Sequence, residues 1–332
     1  MNVSPLVFEP LVKPKIWGGR QLAHLFNKKL PASEPIGESW ELADLEDDQS
    51  IVAGGTFKGR RLGELVTEWG SQLTGEAPLF EGRFPLLIKF LDANDTLSVQ
   101  VHPDQAMADR RGGRVRLKNE AWYIIDAEES GLIYRGVKPG VDEARLRDAI
   151  TDGRVESVLQ RIPVKKGECY YLPSGSLHAL GAGVVVAEVQ TPSDITYRVF
   201  DWNRVDDKTG KPRELHVEQA MECIDFSGRP IAGEEESNIA GRWTSVTRLV
   251  TCESFLIDRV HMAAGQNREL PYNEMIIWIV LEGRGSIACS GCREPLLFSP
   301  GDTVLLPVRI EDGRLQTHED CLWLEVAVPG RS

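Results

Sequence analysis

Two short segments of this sequence place metal-binding or charged side chains two residues apart. Gln100 and His102 form one pair, and Lys118 and Glu120 form the other. Residues two apart on a β-strand project from the same face, so each pair can enter one cavity. Amide oxygens, imidazole nitrogens and carboxylates all bind divalent metals. The spacing predicts a metal site lined by Gln100, His102 and Glu120. Lys118 would stand beside it as a point charge or a proton carrier.

A third segment, YYLPSGSLHA over 170–179, supplies His178. Each of these residues also has an ordinary structural interpretation. A lone histidine is most often a core residue bonded to a backbone carbonyl, or a surface residue in a loop, and Glu120 could face solvent. Trp122 shares the face of Glu120, however, and an aromatic beside a carboxylate favours a cavity wall. His102, Glu120 and His178, with Gln100 as a fourth ligand, match a nitrogen and oxygen site suited to zinc or another divalent transition metal.

Strand and turn signals dominate the elements that must position these residues. Apolar or alternating runs predict nine strands: 84–91, 97–101, 122–126, 169–172, 184–189, 254–260, 275–281, 303–306 and 321–326. A 3.6-residue period predicts a helix over 61–73, and further helices are expected over 141–159, broken near Asp152-Gly153, and over 215–223. The chain is therefore expected to be mainly β.

A weak internal repeat relates the two halves of the chain. The segment KKGECYYLP at 165–173 resembles SPGDTVLLP, which begins 134 residues later, and WYIID at 122–126 resembles WIVLE, which begins 156 residues later. The two offsets differ by about the length of the predicted helical insert near 139–161. The chain is therefore interpreted as two copies of one β-unit, the first carrying the insertion.

Length and charge exclude several classes of protein. The chain has 332 residues with a net charge of -12, which argues against a general nucleic-acid binder because a phosphate backbone would be repelled. No apolar run approaches the roughly 20 residues that span a bilayer, and the N-terminus has no signal-peptide pattern. A cytoplasmic protein without membrane or nucleic-acid partners is expected.

The six cysteines are scattered along the chain, and only Cys289 and Cys292 have the C-x-x-C spacing. A zinc knuckle needs four ligands, and a thioredoxin-type site needs a helix following a strand. Glycines around this pair indicate a hairpin instead. We therefore interpret Cys289 and Cys292 as free thiols at a turn.

The phrase Gly-acid-x-x-x-Leu-Pro, followed closely by His178, resembles the second motif of the cupin superfamily, whose small jelly-roll barrels hold a metal in the barrel mouth. The resemblance implies two cupin-type jelly-roll barrels with a small helical insertion. We expect an N-terminal catalytic domain over 1–240, with its helical insert at about 139–161. A C-terminal cupin-like domain over 241–332 would lack metal ligands, since no histidine follows Pro307 closely.

Arg198 follows a valine-rich strand and precedes an aromatic and acidic cluster. It could form a structural ion pair with Asp194 or Asp201, or bind an anion or a developing enolate at the cavity rim. Here the chain resembles type I mannose-6-phosphate isomerases in their short bacterial form. The resemblance rests on the motifs QVHP, KxExWY, PxGxxHA and TYRxxDW in order, together with PKIWGG at 14–19 and GESWE at 37–41.

The resemblance implies a zinc enzyme, with one zinc per chain, that interconverts mannose 6-phosphate and fructose 6-phosphate through a cis-enediol(ate). By motif, the zinc ligands would be His102, Glu120 and His178, with Gln100 matching a fourth ligand of longer members. Arg198 matches the active-site arginine of the family, and Lys118 matches a lysine close to the metal. Asn119 stands where longer members tend to have proline.

Several alternatives stay open from the residues alone. Lys89, in an apolar strand, and Ser98, on the face of Gln100, are candidates for binding the sugar phosphate. The group that abstracts the carbon-bound proton is not defined. A different sugar-phosphate isomerase or epimerase, an iron-dependent cupin dioxygenase and a non-catalytic sugar-phosphate-binding protein are the rival functions.

Overall fold

The computed structural model describes residues 3–112, 115–206, 210–228, 231 and 234–330 of the chain. These residues are mainly β, as predicted. The strands of the N-terminal half are β1 Leu6–Glu9, β2 Leu11–Gly19, β3 Ile36–Leu42, β4 Ile51–Val52, β5 Leu87–Ala93, β6 Val99–Val101, β7 Glu120–Ala127, β8 Leu132–Val137, β9 Leu159–Pro163, β10 Cys169–Leu172, β11 His178–Leu180, β12 Val184–Gln190 and β13 Tyr197–Phe200.

The remaining strands lie in the second half of the chain, and the helices are distributed over both halves. The strands are β14 Val205–Asp206, β15 Lys211–Pro212, β16 Glu234–Ala240, β17 Thr244–Thr251, β18 Leu256–Met262, β19 Asn267–Glu269, β20 Ile276–Glu282, β21 Gly285–Ala288, β22 Leu296–Phe298, β23 Thr303–Leu306, β24 Arg314–Thr317 and β25 Cys321–Ala327. The α-helices are α1 Gln21–Phe26, α2 Leu62–Trp69, α3 Ser71–Thr74, α4 Gln105–Arg111, α5 Glu143–Thr151 and α6 Val217–Met221, with short 3₁₀ turns at Gly55–Phe57 and Val155–Val158. Each predicted strand overlaps one of these strands.

Two barrels are each built from a larger and a smaller sheet. In the first barrel the larger sheet has the order β10-β7-β12-β5-β2-β3, and the smaller sheet has the order β13-β6-β11-β8-β9. In the second barrel the larger sheet runs β16-β17-β18-β25-β20-β23-β1-β4, and the smaller runs β19-β24-β21-β22. The series β10-β7-β12-β5 and β23-β20-β25-β18 correspond in chain order, which confirms the predicted repeat.

The two larger sheets pack against each other through their outer faces. Alternate residues of β7 (Ala121, Tyr123 and Ile125) share one apolar core with Ile277 and Ile279 of β20, while the intervening Trp122 and Ile124 belong to the interior of the first barrel. Because side chains alternate along a strand, β7 is buried on both faces. Helices α2 and α3 contribute to the same core between the barrels.

Helices α4, α5 and α6 cover the outer face of the smaller first-barrel sheet. Met107 of α4, Leu146 of α5 and Ala220 of α6 pack there against strands β6, β8 and β11. Helix α4, which the sequence reading did not predict, begins where the Asp104 carboxylate accepts a hydrogen bond from the Met107 N–H at 2.7 Å. The helix predicted over 61–73 is divided at Gly70, whose positive φ of 50° separates α2 from α3.

Two further predictions meet the structure differently. Cys289 and Cys292 are joined in a disulfide between β21 and β22, so the interpretation as free thiols is wrong; the turn brings their Cα atoms to 5.1 Å, within bonding range. The proposed division at residue 240 stays a prediction, with β16 at the edge of the larger second-barrel sheet. Among the described residues, no helix has the length and apolar character needed to span a bilayer.

Candidate metal centre

Three predicted ligands meet at one end of the first barrel. His102 follows β6, Glu120 begins β7 and His178 begins β11. Oε2 of Glu120 lies 3.2 Å from Nε2 of His102 and 3.3 Å from Nε2 of His178. All three side chains are buried, and one ligand atom from each lies within 4.8 Å of the others. These two nitrogens and one carboxylate face a common point.

Strand register explains how distant segments supply this site. His178 is opposite Gln100 on β6 and opposite Arg135 on β8, and Arg198 of β13 is opposite Gln100. Residues directly opposite on neighbouring strands lie side by side on the same face. Arg198, Gln100, His178 and Arg135 therefore form one row across the smaller sheet, while Glu120 approaches from the larger sheet.

Backbone carbonyls fix the orientation of both histidines. Nδ1 of His102 is 2.9 Å from the carbonyl oxygen of Ile195, and Nδ1 of His178 is 2.8 Å from that of Ser176. A carbonyl can only accept a hydrogen bond, so Nδ1 carries a proton in each ring, and in a neutral ring Nε2 then holds the lone pair. Both Nε2 atoms are therefore electron-pair donors aimed at Glu120, as metal coordination requires.

The charge state of the site also fits a metal. Burial lowers the pKa of His102 to about 4, so this ring is neutral near pH 7. Burial alone would raise the pKa of Glu120, but attraction to His102 and to the Lys118 ammonium outweighs it and holds that pKa well below its ordinary value. Because His102 is neutral near pH 7, we attribute the lowered pKa of Glu120 to the charge of Lys118. Glu120 is therefore an anion, and His102 is a neutral imidazole.

Unsatisfied polar atoms give the strongest sign of a missing partner. Nε2 of His102 and both carboxylate oxygens of Glu120 are buried without a hydrogen bond of acceptable geometry among the described residues. Lys118 Nζ lies 2.6 Å from Oε1 of Glu120, a close ion pair that leaves Oε2 facing the two histidines. Buried polar atoms left unpaired are costly, and a cation between these donors would satisfy them. The donor set suits zinc.

Gln100 borders the same point. Its amide Nε2 lies 3.3 Å from Nε2 of His178. With that ring nitrogen holding a lone pair, the amide nitrogen acts as donor in this arrangement. Turning the amide by 180° would direct its oxygen toward the same point, because the two ends of the group have nearly the same shape.

Arg198 lies on the same row, at the far side of Gln100. One of its guanidinium nitrogens donates to the carbonyl oxygen of Glu214 at 2.8 Å, and its Nε is buried without a hydrogen bond. Burial and the nearby charge of Arg213 lower its pKa. Asp201 instead pairs with Arg204 and Arg213, which leaves Arg198 without a carboxylate within 4.0 Å among the described residues. The Arg198 guanidinium is therefore suited to binding an anion from solution.

The two residues predicted to bind substrate are both buried in the first barrel. Lys89 Nζ lies 3.0 Å from Oε1 of Glu188 and donates to Oε1 of Gln190 at 2.6 Å. Burial would lower its pKa, but Glu188 and Glu38 outweigh that effect and raise it, so Lys89 is charged. Ser98 is also buried. The assignment of both to the sugar phosphate stays a prediction.

Sequence reasoning missed the polar residues behind the ligands. Glu188 accepts a hydrogen bond from Trp122 Nε1 at 2.8 Å, and the Trp122 ring meets that of His178 edge-on at 5.3 Å between centroids. Gln190 lies directly opposite Glu120. Arg135 pairs with Glu234 at 3.0 Å. The sequence did contain a signal for them: Glu188 and Gln190 are polar residues at the end of the apolar strand β12, and buried polar groups need partners.

The chain is similar to known proteins over nearly its whole length. A model of the phosphomannose isomerase type I catalytic domain matches residues 6–133. Mannose-6-phosphate isomerase ManA of Bacillus subtilis is 35% identical over 329 residues, covering 97% of this chain and 99% of the relative. Mannose-6-phosphate isomerase of Streptococcus mutans is 36% identical over 324 residues, covering 94% and 96%.

The fold and the buried site define a mainly β enzyme of the two-barrel cupin type, with a possible metal site in its first barrel. The crystal structure of the Bacillus subtilis mannose 6-phosphate isomerase shares this architecture, with a TM-score of 0.88 and 33% sequence identity over 98% of this chain and 100% of that one. The chain belongs to the type I phosphomannose isomerase family, and it is therefore an isomerase.

Proposed function

We propose that this chain is a zinc-dependent aldose–ketose isomerase that interconverts D-mannose 6-phosphate and D-fructose 6-phosphate through a cis-enediol(ate). Its family membership supports the substrate, and its donor set supports the metal. The observation that carries the proposal is the group of buried, unsatisfied atoms on His102 and Glu120 beside Nε2 of His178. One zinc per chain would be held by these three residues and, with its amide turned, by Gln100.

The reaction moves a proton between C1 and C2 while the carbonyl migrates, so its barrier lies in forming an electron-rich enediolate. A zinc ion held by His102, Glu120 and His178 would supply a Lewis acid for the substrate oxygens O1 and O2. Arg198 would bind and stabilise the negative charge that develops on those oxygens, since its guanidinium lacks a carboxylate partner in the described chain.

Lys118 and Lys89 are assigned to separate tasks. Lys118 Nζ would move a proton between the substrate oxygens, because it is buried beside Glu120 at the candidate centre. Lys89 would contribute to binding the phosphate with Ser98. Its ammonium has three N–H groups, of which Glu188 and Gln190 engage two.

The direct test is a coupled assay with mannose 6-phosphate and with glucose 6-phosphate, before and after treatment with a chelator. We expect fructose 6-phosphate from the mannose substrate alone, loss of activity with the chelator and recovery on adding zinc. Full activity in metal-free protein would contradict the metal assignment, and preference for the glucose substrate would contradict the proposed sugar.

His102→Ala tests the ligand assignment separately. We expect the variant to lose both zinc and isomerase activity, because a ligand and its lone pair are removed. His261→Ala is the matched control, since His261 is exposed on β18 of the second barrel and should leave both properties unchanged. Zinc stoichiometry retained in His102→Ala would show that His102 is not a ligand.

A further inference from the structure

Gln190 is fully buried at the end of β12, directly opposite Glu120, and its side chain makes three hydrogen bonds. Its Oε1 accepts from Lys89 Nζ at 2.6 Å. Its Nε2 donates to the carbonyl oxygens of Thr191 at 3.0 Å and Ser193 at 2.6 Å. Nearly all of its hydrogen-bonding capacity is thus used within the protein.

Chemistry fixes which way this amide points. An ammonium group can only donate, so the atom facing Lys89 is the oxygen. The two backbone carbonyls can only accept, so the atom facing them is the nitrogen. Gln190 is therefore locked in one orientation, in contrast to Gln100, whose amide can turn.

The carbonyls that Gln190 holds belong to a tight turn over 191–195, called here the 191–195 turn. The Ser193 N–H donates to the Thr191 carbonyl at 2.7 Å, and the Ile195 N–H donates to Ser193 Oγ at 3.4 Å. The last carbonyl of the turn, that of Ile195, accepts the hydrogen bond from Nδ1 of His102 at 2.9 Å. Gln190 thus reaches His102 through one short segment of backbone.

The same turn is hydrogen-bonded to the segment that carries Lys118 and Glu120. The Thr191 N–H donates to the Asn119 carbonyl at 3.1 Å, and the Asn119 N–H donates to Thr191 Oγ1 at 3.2 Å. Thr191 Oγ1 also donates to the Leu117 carbonyl at 3.1 Å. Lys118 and Glu120 flank Asn119 in this segment. Displacing the turn would therefore disturb both the orientation of His102 and the placement of Glu120.

We propose that Gln190 is a positioning residue of the metal centre, which sets the affinity for the metal by fixing the 191–195 turn. This inference rests on the proposed metal site. Hydrogen bonds that orient a ligating histidine fix its tautomer and ring position, and removing such support weakens metal binding by about 10- to 100-fold. Gln190 itself does not touch the metal or the substrate.

The test compares the parent chain with Gln190→Met, which has a similar volume but no hydrogen bonds to the turn. Zinc dissociation constants are measured by competition with a chromophoric chelator, and the visible spectrum of the cobalt-substituted protein reports the ligand geometry. We expect Gln190→Met to raise the dissociation constant about 10- to 100-fold and to shift the cobalt bands.

Thr317→Val is the matched control, because it also removes two side-chain hydrogen bonds from a turn. Thr317 is buried in the second barrel, donates to the Ala263 carbonyl at 2.8 Å and accepts from the Gln266 N–H at 3.0 Å. Both variants should lower the melting temperature of the metal-free protein. Only Gln190→Met should change zinc affinity.

Unchanged zinc affinity and cobalt spectrum in folded Gln190→Met would overturn the proposal and leave Gln190 a purely structural residue. If that variant does not fold, Gln190→Glu decides, because it keeps the acceptor for Lys89 and replaces the donors to the turn with a carboxylate oxygen that the Thr191 and Ser193 carbonyls repel; parent-like affinity there overturns the proposal equally. A parent chain that binds no zinc would refute the metal site itself and this inference with it. If the parent chain binds zinc and the Gln190 variant binds it with unchanged affinity, the inference about Gln190 is refuted and the proposed metal site is not.

Discussion

The two barrels use the same strand register to build different interiors. In the first barrel, Trp122 of β7 lies opposite Glu188 of β12, which lies opposite Lys89 of β5. In the second, Trp278 of β20 lies opposite Glu325 of β25, which in turn lies opposite Asp258 of β18. A tryptophan and a glutamate thus keep the same relation in both copies, whereas the lysine of the first is an aspartate in the second.

The next pair of residues facing the same way on these strands differs between the candidate site and the corresponding place in the second barrel. Glu120 lies opposite Gln190 in the first barrel, and the corresponding residues of the second are Ile276 opposite Ala327. A candidate metal ligand and the amide opposite it are therefore replaced by two apolar side chains. The repeat shows that the jelly-roll backbone does not itself create a metal site; the polar pair at the end of β7 and β12 distinguishes the copies.

The second barrel also fills its interior with aromatic rings. Trp278 and Trp323 are buried with ring centroids 4.7 Å apart, and Trp278 Nε1 donates to the Tyr272 hydroxyl at 3.1 Å. That hydroxyl is 2.5 Å from Oε2 of Glu325. Burial raises the pKa of Glu325, which disfavours its ionised form. The interior of the first barrel contains charged groups, whereas burial in the second barrel favours the neutral form of Glu325.

The largest effect on stability is expected from truncating the shared tryptophan. Trp278→Ala should lower the free energy of unfolding by about 3–5 kcal/mol, since it removes a fully buried ring, with no change in zinc affinity. Urea denaturation and zinc titration measure these quantities. Trp122→Ala should destabilise comparably and also weaken zinc binding, because Trp122 packs on His178. Equal effects of both changes on zinc affinity would remove the functional distinction between the barrels.

A comparable effect, on the rate instead of stability, is expected at Arg198. Its strand β13 is an added edge strand of the smaller first-barrel sheet, and the smaller sheet of the second barrel has no matching strand among the described residues. Arg198→Ala should lower kcat by about 10²- to 10³-fold with zinc retained, because a donor to the developing charge is lost. Arg161→Ala, at an exposed arginine, is the control. A near-normal rate would show that Arg198 is only structural.

The smallest effect concerns the pH dependence of stability. Because the folded pKa of Glu325 lies above its unfolded value, its stabilising contribution is full below the unfolded pKa and is lost as pH rises through the folded pKa. Glu325→Gln should therefore match the parent in acid and be more stable at neutral pH. The gain is expected to be about 1.4 kcal/mol for each unit between the two pKa values.

Glu38 of the first barrel should behave oppositely. Burial would raise its pKa, but Lys89 and Lys15 outweigh burial and lower it. Its contribution is present above the unfolded pKa and is lost as pH falls through the folded pKa, so Glu38→Gln should destabilise at neutral pH and little in acid. Melting temperatures measured across pH check both variants. The same sign of pH dependence in both would contradict the electrostatic contrast between the barrels.

Much of this contrast could be predicted from the sequence, for identifiable reasons. Period-two spacing paired Gln100 with His102 and Lys118 with Glu120, and these residues do meet, although His102 and Lys118 lie just outside strands β6 and β7. The repeated Gly-acid and Leu-Pro phrases marked the two barrels. These signals are local, and each required only a few consecutive residues.

Other features depend on pairings that no local pattern contains. The importance of Gln190 appears only once β12 is aligned with β7, since 70 residues of chain separate it from Glu120. Strand β1 joins the second barrel by pairing with β23, almost 300 residues away. Helix α4 was a missed local signal, because Asp104 is a standard N-cap residue and Gly112 follows the last helical residue.

The most direct test exchanges a carboxylate for an amide in each barrel and counts the bound metal. Zinc is measured by elemental analysis in the parent, in Glu120→Gln and in Glu325→Gln, after removal of metal and addition of one equivalent. We expect one zinc per chain in the parent and in Glu325→Gln, and essentially none in Glu120→Gln. Full zinc occupancy in Glu120→Gln, or an equal loss in Glu325→Gln, would contradict a metal centre confined to the first barrel.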